Sequence, residues 1–119
     1  MHNFKELKVW QKAIDFVVEI YKLSDQFPEK EKFGITSQLR RAAVSISCNI
    51  SEGAGKSSNK DFNRFLETAI GSANEVENLI IICNRLRYIK DEDSNIAIDK
   101  IHEIRKMIVG FQKTLKSDI

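Results

Sequence analysis

Turn formers are scarce in this sequence, which has one proline and five glycines in 119 residues. An all-β sandwich or barrel needs a turn signal about every 8–12 residues, so that class is excluded. Histidine occurs only at His2 and His102, and cysteine only at Cys48 and Cys83. These are too few for a disulfide framework, a cysteine-rich zinc site or a convincing catalytic triad. The expectation is two free thiols packed as small apolar groups. No apolar run approaches the ~18 residues that span a membrane, and Met1-His2-Asn3-Phe4-Lys5-Glu6 has no signal-peptide core. A soluble, cytoplasmic protein is expected. Charge of one sign is also lacking: 19 Lys and Arg against 17 Asp and Glu leave a formal +2. The pI of about 8.5 falls short of the ~9 that marks an obvious nucleic-acid binder. With 42% hydrophobic residues, disorder is excluded, and one domain over residues 1–119 is expected.

What the sequence does have is helical spacing of apolar residues in four segments. In the first, from about Lys5 to Asp25, Leu7, Trp10, Ile14, Val17 and Tyr21 form one stripe. Ala13, Phe16, Ile20, Leu23 and Phe27 form a second, and Pro28 closes the segment. Two stripes make a face wider than one partner helix needs. The second segment runs from about Thr36 to Ala54, with Thr36 or Ser37 as cap and Gly53 and Gly55 at its end. The third opens at Ser58 or Asn59 and continues to about Ile89, a rod of ~45 Å that needs long neighbours. The fourth follows Asp91-Glu92-Asp93-Ser94, acidic groups suited to a helix N-terminus. Short connections near Pro28, Gly55 and Asp91 predict an all-α, antiparallel, up-down four-helix bundle. The double stripe, with off-stripe Phe65, Ile81 and Ile82, leaves apolar surface for self-association.

The chemical motifs are weak. Gly53-Ala54-Gly55-Lys56-Ser57 ends like a phosphate-binding P-loop, but Ile50 stands where the first glycine belongs, and a helix precedes it. A helix-ending turn is the better reading. Asp99-Lys100-Ile101-His102 gives a single acidic-x-x-His pair where a di-iron bundle needs two. His102-Glu103 lacks the second histidine of a zincin, and His2 sits at a terminus expected to fray. Asn49-Ile50-Ser51 is a glycosylation sequon without a secretory context. Gly71-Ser72-Ala73 in mid-helix suggests a close helix crossing that offsets the cost of glycine. No metal, cofactor or catalytic residue is expected, and an enzyme is not.

Polar groups on packed helices are the unusual feature. If the second and third helices turn near Lys56, Arg41 and Gln38 lie level with Ser72 and Glu75. Glu52 and Asn49 then lie level with Asp61 and Arg64. Arg41–Glu75 and Glu52–Arg64 ion pairs are therefore geometrically allowed. Gln38, Arg41, Asn49, Glu52, Ser72 and Glu75 are expected to form a structural polar network that fixes helix register or a subunit interface. Residues 31–60 carry five Lys or Arg against two Asp or Glu. Within and just beyond them, Arg40, Lys56, Lys60 and Arg64 are the candidate nucleic-acid-binding residues, with backbone phosphates as the target.

Several ordered motifs together resemble a known family. They are Gln38-Leu39-Arg40-Arg41-Ala42-Ala43-Val44-Ser45-Ile46, Asn49-Ile50-Ser51-Glu52-Gly53-Ala54-Gly55-Lys56, Phe65-Leu66 and Gly71-Ser72-Ala73-Asn74-Glu75. The opening Phe4-Lys5-Glu6-Leu7-Lys8-Val9-Trp10 and Phe27-Pro28 fit as well. The chain is similar over nearly its whole length to the four-helix proteins named after 23S rRNA intervening sequences. It departs from them at Lys56, where many carry Arg, and at Ser47-Cys48, where Pro-Ser is common. The resemblance implies a ring-shaped homopentamer. It also implies RNA or DNA as a partner, with a reverse transcriptase or another protein as a further one, since relatives include accessory proteins of diversity-generating retroelements. At +2 per chain, five copies would carry about +10 and repeat each basic cluster around the ring.

Overall fold

The computed structural model of the chain describes residues 1–116. Those residues form four α-helices and no strand: α1 (Lys8–Ser24), α2 (Ile35–Ala54), α3 (Asn59–Arg85) and α4 (Asp91–Lys116). Short 3-10 turns at Phe4–Glu6 and Glu29–Glu31 precede α1 and α2. The helices share one elongated body of 46 × 24 × 20 Å. α2 packs against α1 and α3, and α4 against α3 and, less closely, α1. No helix among the described residues is long and apolar enough to cross a membrane.

The predicted second stripe of α1 is its core face: Ala13, Phe16 and Ile20 are buried, with Val9 and Ser24 beside them. The first stripe is only partly free. The Phe4 ring stacks on Trp10 at 5.0 Å, and the Arg40 guanidinium lies 4.6 Å from the Tyr21 ring. The chain thus covers with its own residues part of the surface expected to drive self-association. Apolar exposure falls elsewhere, at Phe33, Leu86 and Ile96 as well as the expected Ile81 and Ile82.

Helix ends differ from expectation in three places. Leu7 is extended, so α1 begins at Lys8 rather than continuing from Lys5. Gly34, not Thr36 or Ser37, is the N-cap of α2, and no side chain caps it. Thr36 is inside the first turn, buried, and its Oγ1 has no partner. α3 stops at Arg85 instead of near Ile89. The Tyr88 amide donates to Cys83 O at 2.9 Å and the Arg87 amide to Asn84 O at 3.0 Å. With Arg87 at φ 66, this is the left-handed helix stop usually built on glycine. An arginine there gives no sequence signal.

α2 and α3 make the most extensive contact. Gly53 permits it: a β-carbon there would sit 2.7 Å from Phe62 Cδ1 and 2.8 Å from Phe65 Cβ. Leu39, Ile46, Ile50, Leu66, Ala69, Ala73 and Ile80 are fully enclosed. Gly71, expected to mark a close crossing, is exposed instead, with nothing within 4 Å of a built β-carbon. The cost of that glycine is not offset by packing within the chain. Cys83 is buried as expected, whereas Cys48 is exposed.

Candidate nucleic-acid interface

Ser58 is the N-cap of α3, its hydroxyl accepting from the Asp61 amide at 3.1 Å. With α2 ending at Ala54 and α3 beginning at Asn59, the turn spans residues 55–58 and includes Lys56, as expected. The register still differs: Ser72 meets Ser45, one helical turn along α2 from the expected Arg41. Ser45 Oγ meets Ser72 Oγ at 2.8 Å, and Asn49 Nδ2 donates to Ser45 O at 2.8 Å and to Ser45 Oγ at 3.0 Å. Asn49 and Ser72 thus belong to a network through Ser45. The other four predicted members do not join it. Gln38, Arg41 and Glu75 line an open cleft of about 560 Å³ with Phe33 and Ser45. Glu52 is exposed. Neither the Arg41–Glu75 nor the Glu52–Arg64 ion pair forms; Arg64 instead lies 3.8 Å from Asp61 on its own helix.

Three of the four candidate nucleic-acid contacts come together at this turn. Lys56, Lys60 and Arg64 are all exposed, and Lys60 and Arg64 are one helical turn apart on the same face. Lys56 Nζ sits 5.1 Å from the Phe65 ring centroid, so its stem is held against the surface while its charge faces water. The Arg64–Asp61 contact is exposed and long, and it constrains the guanidinium little. Asp61 and the Ser58 cap partly satisfy the α3 N-terminus, so attraction for an anion rests mainly on the three side chains.

The fourth candidate, Arg40, is committed elsewhere. Its Nε donates to Ser24 Oγ at 2.7 Å, and its terminal nitrogen donates to Asp25 Oδ1 at 2.9 Å and Tyr21 O at 3.3 Å. These bonds satisfy acceptors at the C-terminus of α1, where a cation also suits the helix dipole. At about 1.5 Å per residue along α2, Arg40 is more than ~20 Å from Lys56.

Sequence reasoning missed what joins the α2–α3 turn from other elements. The His2 amide donates to Ala54 O at 2.8 Å, and its ring lies 5.2 Å from Phe62 and 5.8 Å from Phe111. The N-terminus packs there against the end of the core. Gln112 Nε2 donates to Glu67 Oε1 at 2.9 Å, which brings the last turn of α4, with Lys113 and Lys116, to the same end of the bundle. Phe65 and Lys56 lie nine positions apart in the sequence, so neither their contact nor the approach of α4 has a local signal.

Other titratable groups pair across helices. Burial raises the Glu77 carboxyl, but hydrogen bonds from His102 and Arg105 outweigh it and hold the pKa below the usual range. His102 Nε2 is 3.2 Å and Arg105 2.9 Å from that carboxylate. Burial pushes the Cys83 thiol up to about 11, with the Glu31 charge adding to the effect. Among the described residues no group of three His, Cys, Asp or Glu is placed to hold a metal ion.

Comparison with known proteins fits this architecture. No curated protein matches the sequence. A crystal structure of a protein of unknown function from the S23 ribosomal protein family of Bacteroides thetaiotaomicron is similar, with a TM-score of 0.79 and 30% identity. The match covers 88% of this chain and 98% of that one. The family model for the 23S rRNA-intervening sequence protein matches residues 5–110. With the family model matching nearly the whole chain, the protein belongs to the 23S rRNA-intervening sequence protein family.

Proposed function

We propose that this protein is a non-enzymatic, self-associating scaffold that binds the phosphate backbone of RNA or DNA through the α2–α3 end of its bundle. The observation that carries this reading is the exposed group Lys56, Lys60 and Arg64, with Lys113 and Lys116 arriving at the same end on α4. Flexible cations without a shaped cavity suit phosphates rather than base edges, so little sequence preference is expected. The short connections, and Gly53 against Phe62 and Ser45 against Ser72, support antiparallel, up-down packing. In a ring of copies, for which the family resemblance suggests five, the cluster repeats, and weak sites reach one strand together. A binding titration at several salt concentrations tests the reading. Binding falls steeply with salt in the intact protein, and reversing Lys56, Lys60 and Arg64 to Glu flattens that slope. No binding to RNA or DNA even at low salt overturns it.

A second reading is a protein-interaction scaffold that does not touch nucleic acid. The exposed Phe33, Ile82 and Leu86 side chains support it. Binding of a partner protein that survives the triple charge reversal, together with no affinity for nucleic acid, would favour it.

A further inference from the structure

The two imidazoles of the chain are placed differently. His102 is paired across α3 and α4, its Nε2 3.2 Å from Glu77 Oε2. His2 is exposed and forms no ion pair among the described residues. Its place is nevertheless fixed from three sides. The His2 amide is bonded to Ala54 O, the last residue of α2, and the ring lies against Phe62 of α3 and Phe111 of α4. Lys56 stands two positions beyond Ala54. Phe62 is buried and points away from Lys60 and Arg64, so the imidazole stands roughly one helix diameter, ~10 Å, from that pair. It lies instead toward α4, whose last turn carries Lys113 and Lys116.

We infer that His2 is a phosphate contact of the α2–α3 end, and that its protonation makes the affinity of that end for nucleic acid rise as pH falls. The inference rests on the nucleic-acid binding proposed above and adds to it a residue and a control by pH. Histidine is the side chain that ordinarily gains its charge between about pH 8 and 5, whereas lysine, arginine and carboxylate side chains ordinarily keep theirs.

The cations on the elements packed against His2 are Lys56 after α2, Lys60 and Arg64 on α3, and Lys113 and Lys116 on α4. The carboxylates on those elements are Glu52 on α2 and Asp61 and Glu67 on α3, and the last two turns of α4 carry none. Asp61 lies beside Arg64, and Glu67 holds Gln112. Lys5 and Glu6 follow on the segment of His2 itself. A proton gained at His102 is spent on Glu77 within the fold. One gained at His2 has no such partner, and it extends the positive surface across the end of the bundle.

The test titrates a short labelled RNA, and the DNA duplex of the same sequence, with the full chain at about pH 7 and about pH 5.5, each across a salt series. Circular dichroism at both pH values checks folding. The unaltered chain binds at least about threefold more tightly at the lower pH, since one exposed charge contact is worth about that much and copies on one strand add theirs. Its plot of log affinity against log salt steepens by up to about one for each chain in contact. His2→Gln loses the gain on acidification. His2→Lys, charged at both pH values, binds at about pH 7 as tightly as the unaltered chain does at about pH 5.5 and responds little to pH. His102→Gln keeps the full response. Equal affinity of the unaltered chain at the two pH values overturns the inference and leaves phosphate binding standing. So does a response that survives in His2→Gln or His2→Lys, or one that is lost in His102→Gln. No binding at either pH overturns the binding reading itself.

Discussion

The two ends of the bundle are held together by different physics. At the α2–α3 end the turn is short, Gly53 lets Phe62 and Phe65 close on α2, and the Phe62, Phe111 and His2 rings fill the space. Contact there is steric and apolar, and Lys56, Lys60 and Arg64 sit outside it, exposed to water. At the opposite end two longer connections meet, and polar side chains fasten them. Arg40 ties α2 to the end of α1, the Tyr88 hydroxyl donates to Glu31 at 2.8 Å, and Asn84 Nδ2 donates to Ile89 O and Asp91 Oδ1. The lesson is that basic residues at the two ends are not equivalent: one set is available to a partner, and part of the other is consumed by the fold.

The largest expected effect is at the steric end. Gly53→Ala forces Phe62 and Phe65 to move and costs about 2–3 kcal/mol in denaturant unfolding; a loss below about 0.5 kcal/mol would show that the end is loosely packed. Arg40→Ala removes three hydrogen bonds at the other end and costs about 1–2 kcal/mol, while leaving nucleic-acid affinity nearly unchanged. A variant that keeps its stability but loses binding would return Arg40 to the interface. Gains are expected where glycine chemistry is misplaced. Arg87→Gly relieves the left-handed backbone, and Gly71→Ala restores helix propensity at an open site. Each raises stability by about 0.5–1 kcal/mol. If Gly71→Ala instead weakens assembly, a second copy packs closely there.

The thiols give a smaller, chemical contrast. Cys48 is alkylated readily in the native protein, whereas Cys83 reacts only on unfolding, because it is enclosed and its thiolate is disfavoured. For a raised pKa the sign is fixed: the Cys83 contribution is complete below the ordinary thiol pKa of 9.0 and is lost as pH rises from there through about 11. Glu77 has the opposite sign. Its lowered pKa stabilises the fold above the ordinary 4.5, and that support is lost as pH falls through the native value. Native labelling of Cys83 as fast as Cys48 would contradict the first statement. Urea unfolding of Glu77→Gln with an unchanged acid limb would contradict the second.

Much of the fold was legible because it is written in local spacing. Phe16 and Ile20 on α1 and Leu66, Ala73 and Ile80 on α3 repeat at helical intervals, and each is buried. Helix ends were harder, since Arg87 adopts a conformation usually signalled by glycine and Gly34 caps α2 without a side chain. The basic cluster at Lys56, Lys60 and Arg64 could be read because three residues fall around one turn. The fate of Arg40 could not: its partners Tyr21, Ser24 and Asp25 lie on another helix, and the bonds to Tyr21 and Ile20 carbonyls at that helix end leave no trace in side-chain types. Ion pairs across α2 and α3 failed for a related reason. The turn lies where it was expected, yet α2 meets α3 one helical turn out of register, with Ser72 on Ser45 rather than Arg41, and side-chain types do not signal that offset.

The most direct measurement compares the two ends at equal net charge. One triple variant reverses Lys56, Lys60 and Arg64 to Glu, and the other reverses Arg85, Arg87 and Lys90 at the α3–α4 connection. Both change the overall charge identically, so a difference between them reports position rather than total field. RNA or DNA binding is titrated across a salt series for both and for the unaltered chain. The first variant is expected to lose affinity and show a flattened salt dependence, while the second stays close to the unaltered chain. Equal losses from the two ends, or a greater loss from the α3–α4 connection, would contradict it.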